Sequence, residues 1–175
     1  HAGIVRLYEF NTTEEVWQKL GRNISGEKWD DHSGTSVSLS ADGSRVAIGA
    51  PDNWAGPNPH TGQWHTGHAR IYDYSSSEDW KQIGKDIDGL DFNLAQEFAI
   101  NQHGFNNFGR SVSISDDGRT VAFGGPYHDN PINSGAVRIY ELEPNPESKQ
   151  GDSDKQWVQK GSQITGLDQW DLFGD

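Results

Sequence analysis

Histidine and aspartate are residue types in this sequence that could bind a metal, because imidazole and carboxylate form a common ligand set. His60, His65 and His68 form a cluster that follows Asp52, and His128 is adjacent to another aspartate. Their spacings match no known metal site, and His68 stands where a later copy of the same pattern has alanine. We therefore expect polar loop and strand residues here, and we predict neither a metal site nor a cofactor.

Two tryptophans lie in the same Gly-, Pro- and His-containing segment as these histidines. An exposed tryptophan can stack on a sugar ring or anchor a protein partner, although packing within its own loop is the more frequent role. This segment and the one after Pro126 supply the candidate contact residues for a protein or glycan ligand. They are Trp54, Trp64, His60, His65, Tyr127 and His128.

Catalytic motifs are missing from the sequence. It has no Gly-x-Ser-x-Gly elbow, phosphate-binding loop, His-Glu-x-x-His pair or paired-carboxylate motif, so we expect a non-enzymatic protein. Asn11-Thr12-Thr13 and Asn23-Ile24-Ser25 are N-glycosylation sequons, a pattern that often occurs by chance in chains rich in Ser, Thr and Asn. Asn11 and Asn23 are therefore candidate glycosylation sites if the source is eukaryotic.

Composition excludes several classes of function. The 175-residue chain has a net charge of −12, which argues against binding to nucleic acid or anionic lipid. It has no cysteine for a disulfide or thiolate site, and no apolar run near the ~18 residues of a membrane span. No signal peptide is visible, and the chain opens on His1 in strand-like sequence, so we expect a processed product or an internal segment.

An internal repeat organises the chain. Gly34–Pro51 recurs as Gly109–Pro126, and both copies alternate Ser with Val, Leu or Ile before an Asp-Gly pair and a second apolar run. The alternation predicts a half-buried strand, and Asp-Gly between two such runs predicts a hairpin. A third strand, Gly-x-x-Arg-(Ile/Leu)-Tyr, occurs three times, as does a fourth strand that begins with tryptophan. These strands begin at Gly3, Gly67 and Gly135, and at Trp17, Trp80 and Trp157.

Four short antiparallel strands in each repeat predict an all-β fold made of β-propeller blades. The alternative is a β-sandwich, whose strands do not normally repeat in sequence. We predict one propeller domain with the second half of a blade at 1–26, full blades at 27–89 and 90–166, and the start of another at 167–175. Propellers close with about four to eight blades, so the ring is incomplete. We expect more polypeptide on both sides, or several copies that share blades.

The repeat resembles the FG-GAP repeat, the blade unit of the integrin alpha-subunit propeller and of many bacterial and algal surface proteins. The resemblance rests on Phe108-Gly109, on Gly49-Ala50-Pro51 and on the Gly-x-x-Arg-(Ile/Leu)-Tyr strand, and it covers nearly the whole chain. The pattern Trp-x-Gln-x-Gly-x-Asp-Ile-x-Gly, found at Trp80–Gly89, is similar to tandem repeats of algae and other protists. The resemblance implies a propeller at the cell surface or outside the cell.

Integrin-like blades often carry a calcium loop of alternating Asp and Asn before the second strand, so the resemblance also directs attention to the Asp-Gly turns. The calcium candidates here are Asp42, Asp116 and Asp117. Calcium takes about six to eight oxygen ligands at alternating loop positions, and these loops are short and contain arginine. We therefore favour plain Asp-Gly turns. The repeated arginines Arg6, Arg70 and Arg138 are expected to pair with carboxylates at a blade interface.

Together these features predict a non-enzymatic structural, adhesive or protein-interaction module of an extracellular or cell-surface repeat protein. Its expected partners are other blades of the same or neighbouring chains and an extracellular protein or glycan, with no nucleic acid and no membrane insertion. The alternative is a carbohydrate-binding propeller or a glycan-acting enzyme that uses the loop tryptophans and acidic residues.

Overall fold

The computed structural model describes residues 1–53, 66–89, 107–126, 134–146, 155–168 and 171–175. Within these ranges the chain forms twelve strands and no helix, which confirms the all-β class. The strands are β1 (Ile4–Asn11), β2 (Val16–Ser25), β3 (Ser36–Leu39), β4 (Arg45–Ala50), β5 (His68–Ser75), β6 (Asp79–Gln82), β7 (Ile87–Asp88), β8 (Ser111–Ile114), β9 (Thr120–Gly125), β10 (Ala136–Pro144), β11 (Lys155–Gln159) and β12 (Ile164–Thr165).

The strands form three antiparallel sheets, two of which have the same topology. The first sheet is the β1–β2 hairpin. The second has the order β3-β4-β5-β6, with β7 also paired to β5, and the third has the order β8-β9-β10-β11, with β12 paired to β10. The short strands β7 and β12 were not predicted. Each follows a glycine with positive φ, Gly84 (72°) or Gly161 (70°), which interrupts the fourth strand before the chain pairs again.

Two buried clusters join the three sheets in chain order. The first, between β1–β2 and the second sheet, consists of Leu7, Ile24, Val46, Ile48 and Trp80. The second, between the second and third sheets, consists of Ala47, Ala69, Ile71, Ile87, Phe108, Ile114, Val121, Phe123 and Tyr140. Strand β4 of the middle sheet is buried on both faces, because side chains alternate along a strand and β4 sends Val46 and Ile48 to one cluster and Ala47 to the other.

A close backbone contact joins each sheet to the next unit. Gly67, before β5, forms an isolated parallel bridge with Phe108, and Gly135, before β10, forms the same bridge with Phe173. A Cβ atom on Gly67 would lie 2.0 Å from the Phe108 carbonyl oxygen, and one on Gly135 would lie 2.2 Å from that of Phe173. Because both glycines also have positive φ, a larger residue would be strained here as well as crowded.

Side-chain hydrogen bonds across the sheets also repeat. Ser36 Oγ, in β3, donates to the Gly109 carbonyl at 2.8 Å, and Ser111 Oγ, in β8, donates to the Gly174 carbonyl at 2.9 Å. The two serines occupy the same position of the repeat, as do their two glycine acceptors. We call β3 and β8, the first strands of the second and third sheets, the inner strands. The first residue of each inner strand therefore bonds to the Phe-Gly segment of the unit that follows.

The repeated tryptophans form a second series of such bonds. Trp80 Nε1 donates to the Leu20 carbonyl, and Trp157 Nε1 donates to the Ile83 carbonyl, both at 3.0 Å. Each tryptophan thus bonds to the fourth strand of the preceding unit. Trp17 occupies the same position in the first unit, and its side chain is 67% exposed, whereas Trp80 is 1% exposed.

We expect the substitution Trp80→Ala to lower the free energy of unfolding by about 3–5 kcal/mol, because it removes a buried aromatic side chain and its hydrogen bond. The matched substitution Trp17→Ala, at an exposed copy of the same position, should change it by less than about 0.5 kcal/mol. Urea denaturation followed by circular dichroism measures both values. Equal losses in the two variants would contradict the role of Trp80 in joining the first and second sheets.

Candidate functional site

A cluster of ionisable side chains surrounds Arg70 on β5. The Arg70 guanidinium makes two hydrogen bonds to Asp86, from Nε to Oδ1 at 3.0 Å and from Nη2 to Oδ2 at 2.7 Å. Nη2 also pairs with Glu27, which lies in the loop between β2 and β3. His68 Nδ1 lies 3.7 Å from Asp86 Oδ2. Glu27, His68 and Asp86 each place one potential ligand atom within 4.8 Å of the others.

Local structure explains why these groups meet. His68 and Arg70 are two residues apart on β5, so strand alternation places their side chains on the same face. The β5–β7 pairing of Ala69 with Ile87 brings Asp86, the residue before β7, beside them. Gln82 Nε2 donates to Asp86 Oδ1 at 2.7 Å and helps to hold this carboxylate in place.

The surroundings set the charge of Asp86 and His68. Burial raises the pKa of Asp86, but hydrogen bonds from Arg70 and Gln82 outweigh burial, so the pKa lies below its usual value and the carboxylate is ionised. For His68, which is 2% exposed, burial and then the charge of Arg70 lower the pKa, against the opposite influence of Asp86, Glu27 and Asp31. His68 is therefore a neutral imidazole at pH 7.

Arg70 limits the chemistry that this cluster offers. Two carboxylates and a neutral imidazole form a plausible ligand set for a divalent cation. The guanidinium of Arg70, however, bonds to both carboxylates, so a metal would have to displace it. The cluster thus works as an ion-paired contact between the loop before β3 and strand β5, and acidic clusters of this kind are common without a metal.

The cluster is specific to the middle unit. The position of His68 is held by Ile4 in the first unit and by Ala136 in the third, and the position of Asp86 is held by Gln163 in the third. Arg138 Nε correspondingly donates to Gln163 Oε1 at 3.2 Å, so an amide replaces the carboxylate. Sequence analysis did not predict the roles of Glu27 and Asp86. The departure of Asp86 from its counterparts in the other repeats was the signal that could have found it.

Asp52, directly after β4 and Pro51, connects two units. Its Oδ2 lies 2.6 Å from His32 Nδ1, and its Oδ1 accepts a hydrogen bond from Asn107 Nδ2 at 3.0 Å. His32 and Asn107 precede β3 and β8 at equivalent positions, and both have positive φ, 51° and 48°. One carboxylate thus ties together the entry loops of two consecutive units.

The sequence-predicted contact residues lie outside the described residues, so the structure assigns them no position. These residues are Trp54, Trp64, His60, His65, Tyr127 and His128. The segment that carries the first four of them begins two residues after Asp52 and ends just before Thr66. A ligand-binding role for these side chains remains a prediction from the sequence.

The two sequon asparagines are in different surroundings. Asn11, at the end of β1, accepts hydrogen bonds from the Thr13 and Glu14 backbone N–H groups at 2.9 and 3.1 Å, and so shapes the β1–β2 turn. Asn23 is exposed on β2. We expect Asn23 to accommodate a glycan without loss of these turn contacts, and occupancy at both sites remains a prediction.

The candidate calcium residues are used in the hairpin turns. Asp42 accepts hydrogen bonds from Ser40 Oγ at 2.7 Å and from the Ser44 N–H at 3.0 Å, and these bonds lower its pKa to about 2. Asp117 makes the equivalent contacts in the second hairpin, and hydrogen bonds lower its pKa as well. The Asp116 backbone carbonyl accepts a hydrogen bond from the Ala41 N–H at 3.0 Å, which links the two turns.

Comparison with known proteins leaves the family resemblance resting on the repeat itself. No protein-family model matches the chain, and no curated protein sequence matches it significantly. Among the described residues, no helix is long and apolar enough to cross a membrane.

We expect the stability of the chain to depend on pH through His68. Because the folded-state pKa of His68 lies below its value of 6.5 in the unfolded chain, the unfolded state binds the proton more readily. This group should leave stability unchanged above pH 6.5 and reduce it as the pH falls from 6.5 toward the lowered pKa. His68→Ala, which copies the residue at position 136, should reduce this slope. Urea midpoints at about pH 7.5 and 5 measure it, and identical slopes would contradict the role of His68.

We expect calcium to leave the Asp-Gly turns unaffected, since each turn carboxylate would have to give up its hydrogen bonds to become a ligand. Thermal unfolding should show the same midpoint with EDTA and with about 1 mM calcium, a concentration that fills weak extracellular sites. Asp42→Asn and Asp117→Asn are the control variants. A calcium-dependent rise in the midpoint that either variant abolishes would contradict the expectation.

Proposed function

We propose that this chain is a stack of FG-GAP-type propeller blades that serves as a non-enzymatic structural and adhesive module of an extracellular or cell-surface repeat protein. One observation carries the proposal: consecutive sheets are joined by the same bonds at the same positions of the repeat. These are the Gly–Phe bridges, the serine bonds and the tryptophan bonds.

The use of the polar side chains supports a structural role. The aspartates of the two turns, the serines of the inner strands and the arginine of the third strand all make contacts within or between sheets. Arg70 pairs with both Asp86 and Glu27, so two carboxylates share one guanidinium. Residues that could be mistaken for a catalytic set therefore stabilise the units that contain them.

The arrangement of the units supports the propeller form of the proposal. A repeat unit that buries one face against each neighbour requires a neighbour on both sides, as the middle sheet has. The second and third sheets each order four strands consecutively, which supports the proposal because a propeller blade has the same order. Ring closure would come from further blades of the same or neighbouring chains.

We test the proposal by displaying the chain on yeast cells and measuring cell–cell aggregation. An adhesive blade stack should promote aggregation above that of cells displaying an unrelated β domain. Trp80→Ala, which removes the bond between sheets, should reduce aggregation, while Trp29→Ala, at a tryptophan that is 71% exposed, is the control. Display levels are equalised by antibody staining, so that reduced aggregation reflects the module and not its amount.

A glycan array and a panel of glycoside substrates separate the proposal from a carbohydrate-directed function. The purified chain should neither bind a glycan selectively nor release product from a substrate. Selective glycan binding, product release, or aggregation no higher than in the control cells would overturn the proposed adhesive role.

A further inference from the structure

The two inner strands of the repeat differ sharply in exposure. Leu39, on β3, is 53% exposed, whereas Ile114, at the same repeat position on β8, is 8% exposed. Val37 is also 53% exposed, while its counterpart Val112 is partly buried against the second cluster. The β3–β4 hairpin covers β8, and in the described residues no equivalent hairpin covers β3.

The uncovered face forms a groove with a volume of about 670 Å³. Val37, Leu39 and Val46 line it from the second sheet, and Tyr8, Trp17 and Leu20 line it from the first. Strand β1 pairs with β2 along one edge, and among the described residues its other edge pairs with no strand. In the second and third sheets the strand equivalent to β1 has a partner on that side, namely β4 or β9.

The contact between β3–β4 and β8–β9 shows what fits such a face. Ile114 N–H donates to Ser38 Oγ at 3.2 Å, and the Ala41 N–H donates to the Asp116 carbonyl at 3.0 Å. Arg45 Nη1 donates to the Gly118 carbonyl at 2.6 Å. The backbone groups of Ile114, Asp116 and Gly118 that make these bonds have repeat equivalents at the groove. They are the Leu39 N–H, which is a donor, and the carbonyls of Ala41 and Gly43, which are acceptors.

The pairing of β4 with β5 shows which residues a strand beside β1 would place opposite it. Arg45 lies opposite Asp73 in that ladder, and its guanidinium donates from Nε and Nη2 to the two oxygens of the Asp73 carboxylate. Glu9 holds the position of Asp73 in β1, and it is exposed. An incoming strand in the β4 register would therefore place an arginine opposite Glu9 and an apolar residue opposite Tyr8.

We propose that this groove binds a β-hairpin of the repeat's own type, supplied by another segment of repeat polypeptide, whose second strand extends the β1 sheet and whose first strand covers Val37 and Leu39. The pattern required is alternating Ser and Val/Leu/Ile, an Asp-Gly turn and an arginine at the start of the second strand. The groove surface of β3 corresponds, one repeat earlier, to the surface of β8 that the β3–β4 hairpin covers.

The arginine requirement selects between the two hairpins of this chain. The Gly34–Pro51 segment has Arg45 at the required position, whereas Gly109–Pro126 has Thr120 there. A hairpin of the first kind brings an arginine to Glu9, and one of the second kind brings a threonine. In the third sheet Thr120 lies opposite Glu141, which pairs instead with Lys160. This inference rests on the proposed blade-stack function, since it names the partner by which the first sheet becomes a complete blade.

A labelled synthetic peptide with the sequence of residues 34–51 tests the inference against the purified full chain by fluorescence anisotropy. We expect saturable binding, with nuclear magnetic resonance shifts at β1 and β3, and no binding of a scrambled peptide. Leu39→Asp, which puts a charge on the apolar face, should weaken binding at least about tenfold. Leu167→Asp is the control, because Leu167 is 90% exposed and lies outside the groove.

A charge exchange then tests the register. Glu9→Lys should weaken binding of the natural peptide about fivefold, and a peptide carrying Arg45→Glu should restore binding to that variant. Equal binding to wild type and Leu39→Asp, binding of the scrambled peptide, or failure of the exchange would overturn the inference. So would self-association of the chain through the groove, detected by ultracentrifugation. Peptide binding is measured in solution, so its failure is distinct from loss of cell aggregation.

Discussion

The structure depends on a close backbone approach at the junction between units. A Cβ atom on Gly49 would lie 1.9 Å from the Gly109 carbonyl oxygen, and one on Gly124 would lie 2.0 Å from that of Gly174. No side chain fits in this space, so the Phe-Gly segment of one unit lies against the bare backbone of the unit before it. Since this contact sets the position of the following inner strand, it also determines where the serine, the tryptophan and the apolar face of that unit can bond.

This constraint distinguishes residues that bond across the junctions from residues that differ between the units. A position that bonds across every junction, such as the serine at the start of the inner strand, must be the same in each unit, and its polarity says nothing about a ligand. Differences between units are informative for the opposite reason. Among the described residues, Arg70 of the middle unit pairs with the carboxylates of Asp86 and Glu27, whereas its counterpart Arg138 donates to the amide of Gln163. Residues with a role specific to this chain are therefore expected at positions where the units differ in sequence.

Sequence patterns predicted the strands well because they report local constraints. The Ser/Val alternation and the Asp-Gly pairs predicted the β3–β4 and β8–β9 hairpins, and the three copies of the third strand matched β1, β5 and β10. The site was less predictable, because Glu27 and Asp86 meet Arg70 only through the pairing of distant strands. The positive φ of His32 and Asn107, both of which contact Asp52, was not predicted, although His and Asn adopt this conformation more often than most residues. Contacts between residues that are distant in sequence depend on how the sheets assemble, so a short stretch of sequence does not predict them.

A repeat unit buries its apolar faces against its neighbours, so its stability depends on what covers each face. Among the described residues, the apolar side of β3 is exposed and lies beside an edge of β1 that pairs with no strand, a combination that promotes association between chains. The chain has a net charge of −12, which opposes indiscriminate association of like copies. Glu9 adds a local condition at that edge, because a strand that brings arginine to it gains an ion pair and a strand that brings a carboxylate is repelled. The same residue that makes the edge acidic thus favours one kind of strand among those the backbone alone would accept.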